Sequence, residues 1–392
     1  MDDMADLRMQ LIVDADVYAP EPLGIRHLML GGGRILWMGT DRPALPPELQ
    51  VEVIDLGGRR MIPGLVDCHA HVTGGGGESG YGSSIAPLEA REFTSCGITA
   101  IVGLLGTDDC VRTTGQLVHA VNGLRSAGLA AWCYTGGYHL PPTTLLGSIR
   151  SDMVHVDPII GFGELAISDH RSSQPSLDDV LRVASEVHVA GLMTGKAGIL
   201  HLHLGDGPRG LDLVRSALDK SELPARVFHP THVNRRRALF EEALALTSRG
   251  VTVDVTAEPE EDSRAAPGSG PDAELPASYA IRALLSSDVE PTRWTVSSDS
   301  GGCLPTFDAE GHVHSYEVGR PAILSTLLAG LLTEGLSLAK VLPGFTSNPA
   351  DLLRLKEHGR IAIGSRADLV CLEDETHAVR DVWCKGTRSS LR

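Results

Sequence analysis

Two histidines one residue apart, His69 and His71, close the run Ile62-Pro63-Gly64-Leu65-Val66-Asp67-Cys68-His69-Ala70-His71. Side chains alternate across an extended strand, so both imidazoles face the same way at its carboxyl end. Imidazole is the commonest protein ligand for a catalytic transition metal. A pair so placed is half of a metal site, although an isolated pair also suits ordinary surface or core histidines. Further polar residues fall at the ends of later apolar runs: Glu164, His203 (with His201 on the same face), His232 and Asp299. Four imidazoles and two carboxylates suit a pair of divalent ions, most simply zinc, with a carboxylate between them.

Strands must position these groups. From residue 62 the texture is strand alternating with helix, the signature of a parallel sheet or barrel. After the strand before His69, apolar strands are expected at 98–105, 129–135, 159–167, 199–204, 225–231, 251–256 and 293–298, with helices such as 177–190 and 236–248 between them. Eight such units predict an α/β fold, a (β/α)8 TIM-like barrel with its site at the carboxyl ends of the strands. Residues 1–61 and 358–392 instead carry short alternating runs, including Arg360-Ile361-Ala362-Ile363-Gly364, broken by Gly and Pro. They predict one small β-sandwich domain built from both chain ends, beside a barrel over 62–357. Gly31-Gly32-Gly33 lacks the lysine and following helix of a phosphate loop and suits a hairpin turn. Residues 258–275, rich in Pro, Gly, Ser and acidic side chains, are expected to form a lid after a strand end.

Composition narrows the class. A chain of 392 residues with 42% hydrophobic and 21% charged residues can bury an enzyme-sized core. Its net charge of −16 argues against a nucleic-acid partner. Without a basic leader followed by an apolar stretch, secretion and membrane spanning are not expected. Seven scattered cysteines with no CxxC pairing suit free thiols in a reducing cytoplasm.

Pro63-Gly64-Leu65-Val66-Asp67-Cys68-His69-Ala70-His71, two later strand-end histidines and Ser298-Asp299 resemble the amidohydrolase superfamily. Within it, Gly74-Gly75-Gly76-Gly77-Glu78, Val102 to Asp108, Tyr138-His139, Ser168-Asp169-His170-Arg171, Thr231-His232-Val233-Asn234-Arg235 and Ser297-Ser298-Asp299 resemble the isoaspartyl dipeptidases through almost the whole chain. The resemblance implies two divalent metals, a hydroxide held between them that attacks the amide carbonyl of a β-aspartyl bond, and Asp299 as its proton shuttle. It also selects His203 over His201, since His203 precedes Gly205-Asp206. Tyr138 becomes a donor to the developing oxyanion. Glu78 becomes a carboxylate for the substrate's α-ammonium, and Gly76 lies in the glycine run that lets backbone N–H groups approach the substrate. Arg171 and Arg235 suit bidentate capture of substrate carboxylates, with structural ion pairs as their plain alternative. Thr107 is a weaker substrate contact. A homo-oligomer, often an octamer, is implied, as are β-Asp-Xaa substrates such as β-Asp-Arg from cyanophycin breakdown. The competing readings are an N-acyl-amino-acid deacylase, a cyclic-amide hydrolase, and a non-catalytic scaffold.

The chain departs from the family pattern twice. The usual bridge is a carboxylated lysine from the fourth strand, but here no lysine precedes Lys196 and Glu164 holds that position. Glutamate is shorter, so the backbone must move inward. The run Ile160 to Ile167 holds one extra residue, and a β-bulge at Gly163 would supply that movement. Glu164 is therefore expected to bridge directly, without carbon dioxide. Second, Cys303 stands where a serine often meets the aspartyl carboxylate, and a thiol is a poorer donor.

Overall fold

The computed structural model describes residues 9–46, 48–257, 270–307 and 313–390. Most of the expected lid, residues 258–269, lies outside that range. Strands β1 (Met9–Tyr18), β2 (Pro22–Gly31), β3 (Arg34–Gly39), β4 (Val51–Asp55) and β5 (Arg60–Pro63) come first. The Gly31-Gly32-Gly33 run is the turn between β2 and β3, with Gly32 and Gly33 at positive φ.

Parallel strands follow: β6 (Leu65–Ala70), β7 (Ile98–Gly103), β8 (Ala130–Thr135), β9 (Ile159–Ile167), β10 (Ile199–Leu204), β11 (Phe228–Thr231), β12 (Val253–Thr256) and β13 (Trp294–Ser297). The helices α1 (Ala90–Thr94), α2 (Thr114–Ser126), α3 (Ile149–His155), α4 (Leu177–Thr194), α5 (Asp212–Lys220), α6 (Arg237–Thr247) and α7 (Ala277–Ser286) lie in turn between consecutive strands from β6 to β13. Local chemistry sets their ends. In α4, Ser176 and Asp179 form a capping box at the start, and Gly195 takes the left-handed conformation after the last turn.

The strands β6 to β11 form one parallel sheet in the order 11-10-9-8-7-6, while β12 and β13 pair in parallel as a second. Side chains and one bridge join the two. Ala70 pairs with Ser300, and the Asp67 carboxylate accepts from the Ser298 N–H at 3.1 Å and from its hydroxyl. On the other flank Thr231 donates to Asp254 at 2.7 Å, and Asn234 bonds the backbone of Thr256 in both directions. Every residue of β6, β7 and β9 to β13 is buried, which explains why these strands read as continuous apolar runs.

A hairpin of β14 (Cys303–Phe307) and β15 (Val313–Val318) follows the site-bearing turn, a pair the sequence pattern does not predict. The chain ends in β16 (Leu369–Leu372), β17 (Val379–Cys384) and β18 (Thr387–Ser390). These strands join the first five in one eight-stranded sheet, with β5 between β1 and β16 and β4 paired to β1. Trp383 is buried and donates to Gln10 at 2.9 Å, tying the two chain ends together. Two expectations need correction. Arg360 to Gly364 is not a strand: it turns, and beside β3 only Gly364 and Ser365 bond to Ile35. The expected strand over 225–231 begins at Phe228, because Ala225–Val227 closes a 3-10 turn.

Candidate metal and substrate site

The strand ends bring six polar side chains to one place. His69 Nε2 lies 3.2 Å from Asp299 Oδ1 and 3.6 Å from Glu164 Oε2. His71 Nε2 lies 3.1 Å from Asp299 Oδ1 and 3.4 Å from Glu164 Oε1. From the other side, His203 Nδ1 and His232 Nε2 approach Glu164 Oε2 at 3.0 and 3.6 Å. All six residues are buried. His232 and Asp299 stand in the left-handed region, with φ of 60° and 49°. That is uncommon for residues with a Cβ, and here it turns each side chain inward just past its strand.

Glu164 reaches the centre because β9 holds an extra residue. Phe162 pairs with Leu200 and Leu165 with Leu202, so three steps along β9 match two along β10. This is a bulge across Gly163-Glu164, as the sequence predicts. A Cβ on Gly163 would sit 2.7 Å from the Cβ of His201, so only glycine fits there.

The cluster suits cations. Burial works to raise Glu164 and Asp299, but the facing imidazoles hold both carboxyls well below the usual range. Burial works to lower His71, yet its contacts with Asp299 and Glu164 carry it up to about 10. Burial wins at His232 and pushes it down to about 4. His69 Nε2 and Asp299 Oδ1 are buried, and among the described residues neither has a hydrogen-bond partner. Such atoms are costly unless something binds them. Two sets, His69–His71–Glu164 and Glu164–His203–His232, each hold donor atoms within 4.8 Å of one another and share Glu164. This donor set fits metal.

Three of the four imidazoles are held from behind, whereas His71 Nδ1 has no partner among the described residues. His203 Nε2 meets Asp169 Oδ2 at 2.9 Å, and His232 Nδ1 meets Thr256 Oγ1 at 2.6 Å. His69 Nδ1 meets His201 Nε2 at 2.8 Å. Thus His201 lies behind the site and His203 in it. His229 sits farther inside, facing away from the cluster. The Tyr138 hydroxyl is 2.8 Å from His203 Nδ1, at the pocket wall.

A pocket opens over these groups. It is lined on the metal side by His71, His203, Asp299 and Tyr138, and on the substrate side by residues that include Gly76, Glu78, Thr107, Arg171, Arg235 and Cys303. Glu78 Oε1 accepts from Thr107 at 3.0 Å and from Arg171 at 3.1 Å, while Glu78 Oε2 has no partner among the described residues. Arg171 also donates to Asp169 at 2.7 Å and stacks over the Tyr138 ring at 5.6 Å. Arg171 thus makes ion pairs with both Glu78 and Asp169. Gly76 has φ +77°, and a Cβ there would meet the Ser83 carbonyl at 2.7 Å. Burial first, then the charge of Glu78, pushes the Cys303 thiol up to about 12, so it stands as a neutral S–H.

Sequence reasoning missed Asp169, which holds both His203 and Arg171. Its signal was present as the acid two residues before Arg171 in Ser168-Asp169-His170-Arg171. His139 binds Asp109 at 2.8 Å and the Arg171 carbonyl at 3.0 Å, so it supports the arginine loop and lies outside the cluster.

Comparison with known proteins points the same way as this geometry. The model of the amidohydrolase family matches residues 199–388. The structure resembles the β-aspartyl dipeptidase of Fervidobacterium islandicum AW-1 in complex with β-Asp-Leu dipeptide. The two chains are 35% identical over 98% of this chain and 96% of that one, with a TM-score of 0.92. A second structure of the F. islandicum enzyme matches at 34% identity over 97% of both chains, with a TM-score of 0.87. Among curated proteins, imidazolonepropionase of Pseudomonas paraeruginosa is 49% identical over 53 residues, but the match spans only 14% of this chain and 13% of that protein.

Proposed function

The chain belongs to the β-aspartyl dipeptidases of the amidohydrolase family, and from that premise we propose how its own residues cleave a β-aspartyl dipeptide. His69, His71 and Asp299 would hold one divalent ion, His203 and His232 a second, and Glu164 would be shared between them. Zinc is the simplest choice for this nitrogen-rich set. When bound, such ions lower the pKa of water and polarise a carbonyl.

The remaining work falls to the side chains. Asp299 Oδ1 faces the cluster, where it takes a proton from the attacking water and delivers it to the leaving amine. The Tyr138 hydroxyl, at the pocket wall, donates to the oxygen that gains charge as the amide carbonyl becomes tetrahedral. Burial and the nearby Glu164 charge raise its pKa well above the ordinary value, so the proton stays available for donation. Glu78 receives the substrate's α-ammonium on the oxygen left unpaired, and Arg171 holds Glu78 in place. Arg235, also lining the pocket, takes a substrate carboxylate in bidentate fashion. Thr107 and Cys303 flank Glu78, and Gly76 lets the chain pass close to the substrate.

The parallel strands, joined at Ala70–Ser300 and Thr231–Asp254, act as one (β/α)8 barrel over 62–357, beside a small β domain of 1–61 and 358–392. By family resemblance the working form is a homo-oligomer. No helix among the described residues is long and apolar enough to cross a membrane.

The observation that carries this reading is Glu78, with an unpaired carboxylate oxygen in the pocket beside the six-residue cluster. A free α-ammonium needs that group, whereas an acylated amine does not. The test is hydrolysis of β-Asp-Leu and β-Asp-Arg against α-Asp-Leu and N-acetyl-Asp, with and without chelator. Chelator-sensitive turnover of the β-aspartyl compounds is expected. Turnover of N-acetyl-Asp alone would instead make the protein a deacylase.

A further inference from the structure

Behind the site runs a buried chain of hydrogen bonds that the reaction does not touch. From His69 Nδ1 it passes to His201 Nε2 at 2.8 Å, then from His201 Nδ1 to His229 Nδ1 at 2.9 Å. It continues from His229 Nε2 to Thr295 Oγ1 at 3.1 Å, and from Thr295 to Asp254 Oδ1 at 2.5 Å. Asp254 also accepts from Thr231 at 2.7 Å, from Ser297 at 2.5 Å and from the Cys68 thiol at 3.4 Å. Every one of these residues has zero exposure. They come from β6, β10, β11, β12 and β13 and fill the space enclosed by those strands.

Counting protons gives the chain a direction. A carboxylate has only acceptors, so four surrounding O–H and S–H groups point at Asp254. Thr295 has a single hydroxyl proton, and Asp254 takes it. Toward His229, then, Thr295 Oγ1 accepts and Nε2–H donates. A neutral imidazole carries one N–H, so His229 Nδ1 accepts from His201 Nδ1–H. His201 Nε2 in turn accepts from His69 Nδ1–H. In a neutral His69 the lone pair then falls on Nε2, the atom facing Asp299 and Glu164.

We propose that Asp254, acting through Thr295, His229 and His201, is a positioning residue that fixes the tautomer of His69 so that its Nε2 is a metal-binding lone pair. The second nitrogen of a metal-binding histidine usually finds a carboxylate or carbonyl directly. Here the carboxylate acts at a distance, through two imidazoles and a hydroxyl. The group Cys68, His229 and Asp254 also has the composition of a metal site. Its atoms are already engaged by Thr231, Thr295, Ser297 and His201, so the arrangement serves the relay.

The inference rests on the two-ion reading above, and one titration separates the two. Zinc binding is measured on the full-length protein by competition with a chromophoric chelator. Failure of the wild-type chain to bind two zinc ions would remove the two-ion reading itself. With two bound, Thr295→Val keeps the volume and cuts the relay. One of the two affinities is then expected to fall by ~10–100-fold while the other holds. The melting temperature after chelation should change little, and Thr295→Ser should restore binding. Asp254→Asn, which offers a donor where an acceptor stood, should weaken the same single ion.

Wild-type affinity for both ions in Thr295→Val overturns the proposal. Equal weakening of both ions, or no rescue by serine, assigns the chain to packing and overturns it as well. A third zinc bound per chain would make the Cys68 group a metal site instead. If neither Thr295→Val nor Asp254→Asn folds, the chain serves the core and the proposal falls.

Discussion

The two walls of the pocket are built differently. Behind the metal wall stands the whole cluster, of which His71, His203 and Asp299 line the pocket: His69, Glu164 and His203 project from strands, and His71, His232 and Asp299 lie within two residues of a strand end. Each strand is buried on both sides; β6, β9, β10 and β11 share one sheet, and β13 is tied to β6 through Ser298 and Ser300. On the substrate wall, Gly76, Glu78, Thr107 and Arg171 lie on loops, and Cys303 opens a two-stranded hairpin. The metal wall is fixed by sheet register, whereas the substrate wall is fixed by side chains holding one another: Thr107 and Arg171 on Glu78, and Asp169 on Arg171. Chemistry that needs placement within a fraction of an ångström sits on the first, and recognition that must admit and release a ligand sits on the second.

The largest break should come from the metal wall. Glu164→Ala removes the only carboxylate shared by both donor sets. Zinc content is expected to fall below two per chain, and turnover of β-Asp-Leu to that of the chelated protein. Elemental analysis with a turnover assay checks both. Because the bulge at Gly163 brings the glutamate inward, added bicarbonate should neither raise wild-type activity nor rescue the variant. Full metal content with unimpaired activity in Glu164→Ala would remove Glu164 from the bridge.

Tyr138 tests the seam between the walls, since it touches His203 on one side and Arg171 on the other. Tyr138→Phe keeps the ring under Arg171 and removes only the hydroxyl. The expected loss is ~10²–10³-fold in kcat, the usual cost of one oxyanion donor, with KM nearly unchanged. Steady-state kinetics separates the two parameters. An effect on KM alone would place the hydroxyl in ground-state binding.

The same contrast explains what was legible in the chain. Strand residues repeat every two positions and point predictably, so His69 and His71 follow from spacing once the strand is placed, whereas His203 is separated from His201, on the same face, only by the family motif. The inserted residue at Gly163 was visible too, as one residue too many in the run to Ile167. Loop residues have no such period, and Glu78, Arg171 and Cys303 were found through their motifs. Asp169 was missed because it lies in the bend after β9, and its partner His203 is 34 residues away in β10. The relay was missed for a similar reason: Asp254 and Thr295 look like ordinary polar residues in apolar strands until the sheet brings them together. The hairpin at Cys303 was hidden by Pro305, which argues against a strand unless the strand is at an edge. Arg360 to Gly364 erred the other way, since its alternation reads as a strand but Ile363 faces solvent.

The smallest expected break lies on the substrate wall and tests recognition alone. Glu78→Gln keeps the length and hydrogen-bonding capacity of the side chain but removes its charge. The ion pair with Arg171 goes with it, although Asp169 still holds the guanidinium by two bonds. A hydrogen bond to a charged partner contributes about 1.5–3 kcal/mol, which corresponds to a ~10–150-fold rise in KM for β-Asp-Leu. Zinc content should be unchanged, because no strand moves. The decisive measurement is the same ratio for a substrate whose α-amine is acetylated. If Glu78 reads the ammonium, Glu78→Gln narrows the gap between free and acetylated substrate, mainly by weakening the free one. If both substrates weaken equally, Glu78 only props Arg171, and the substrate wall would then be organised around the arginine instead.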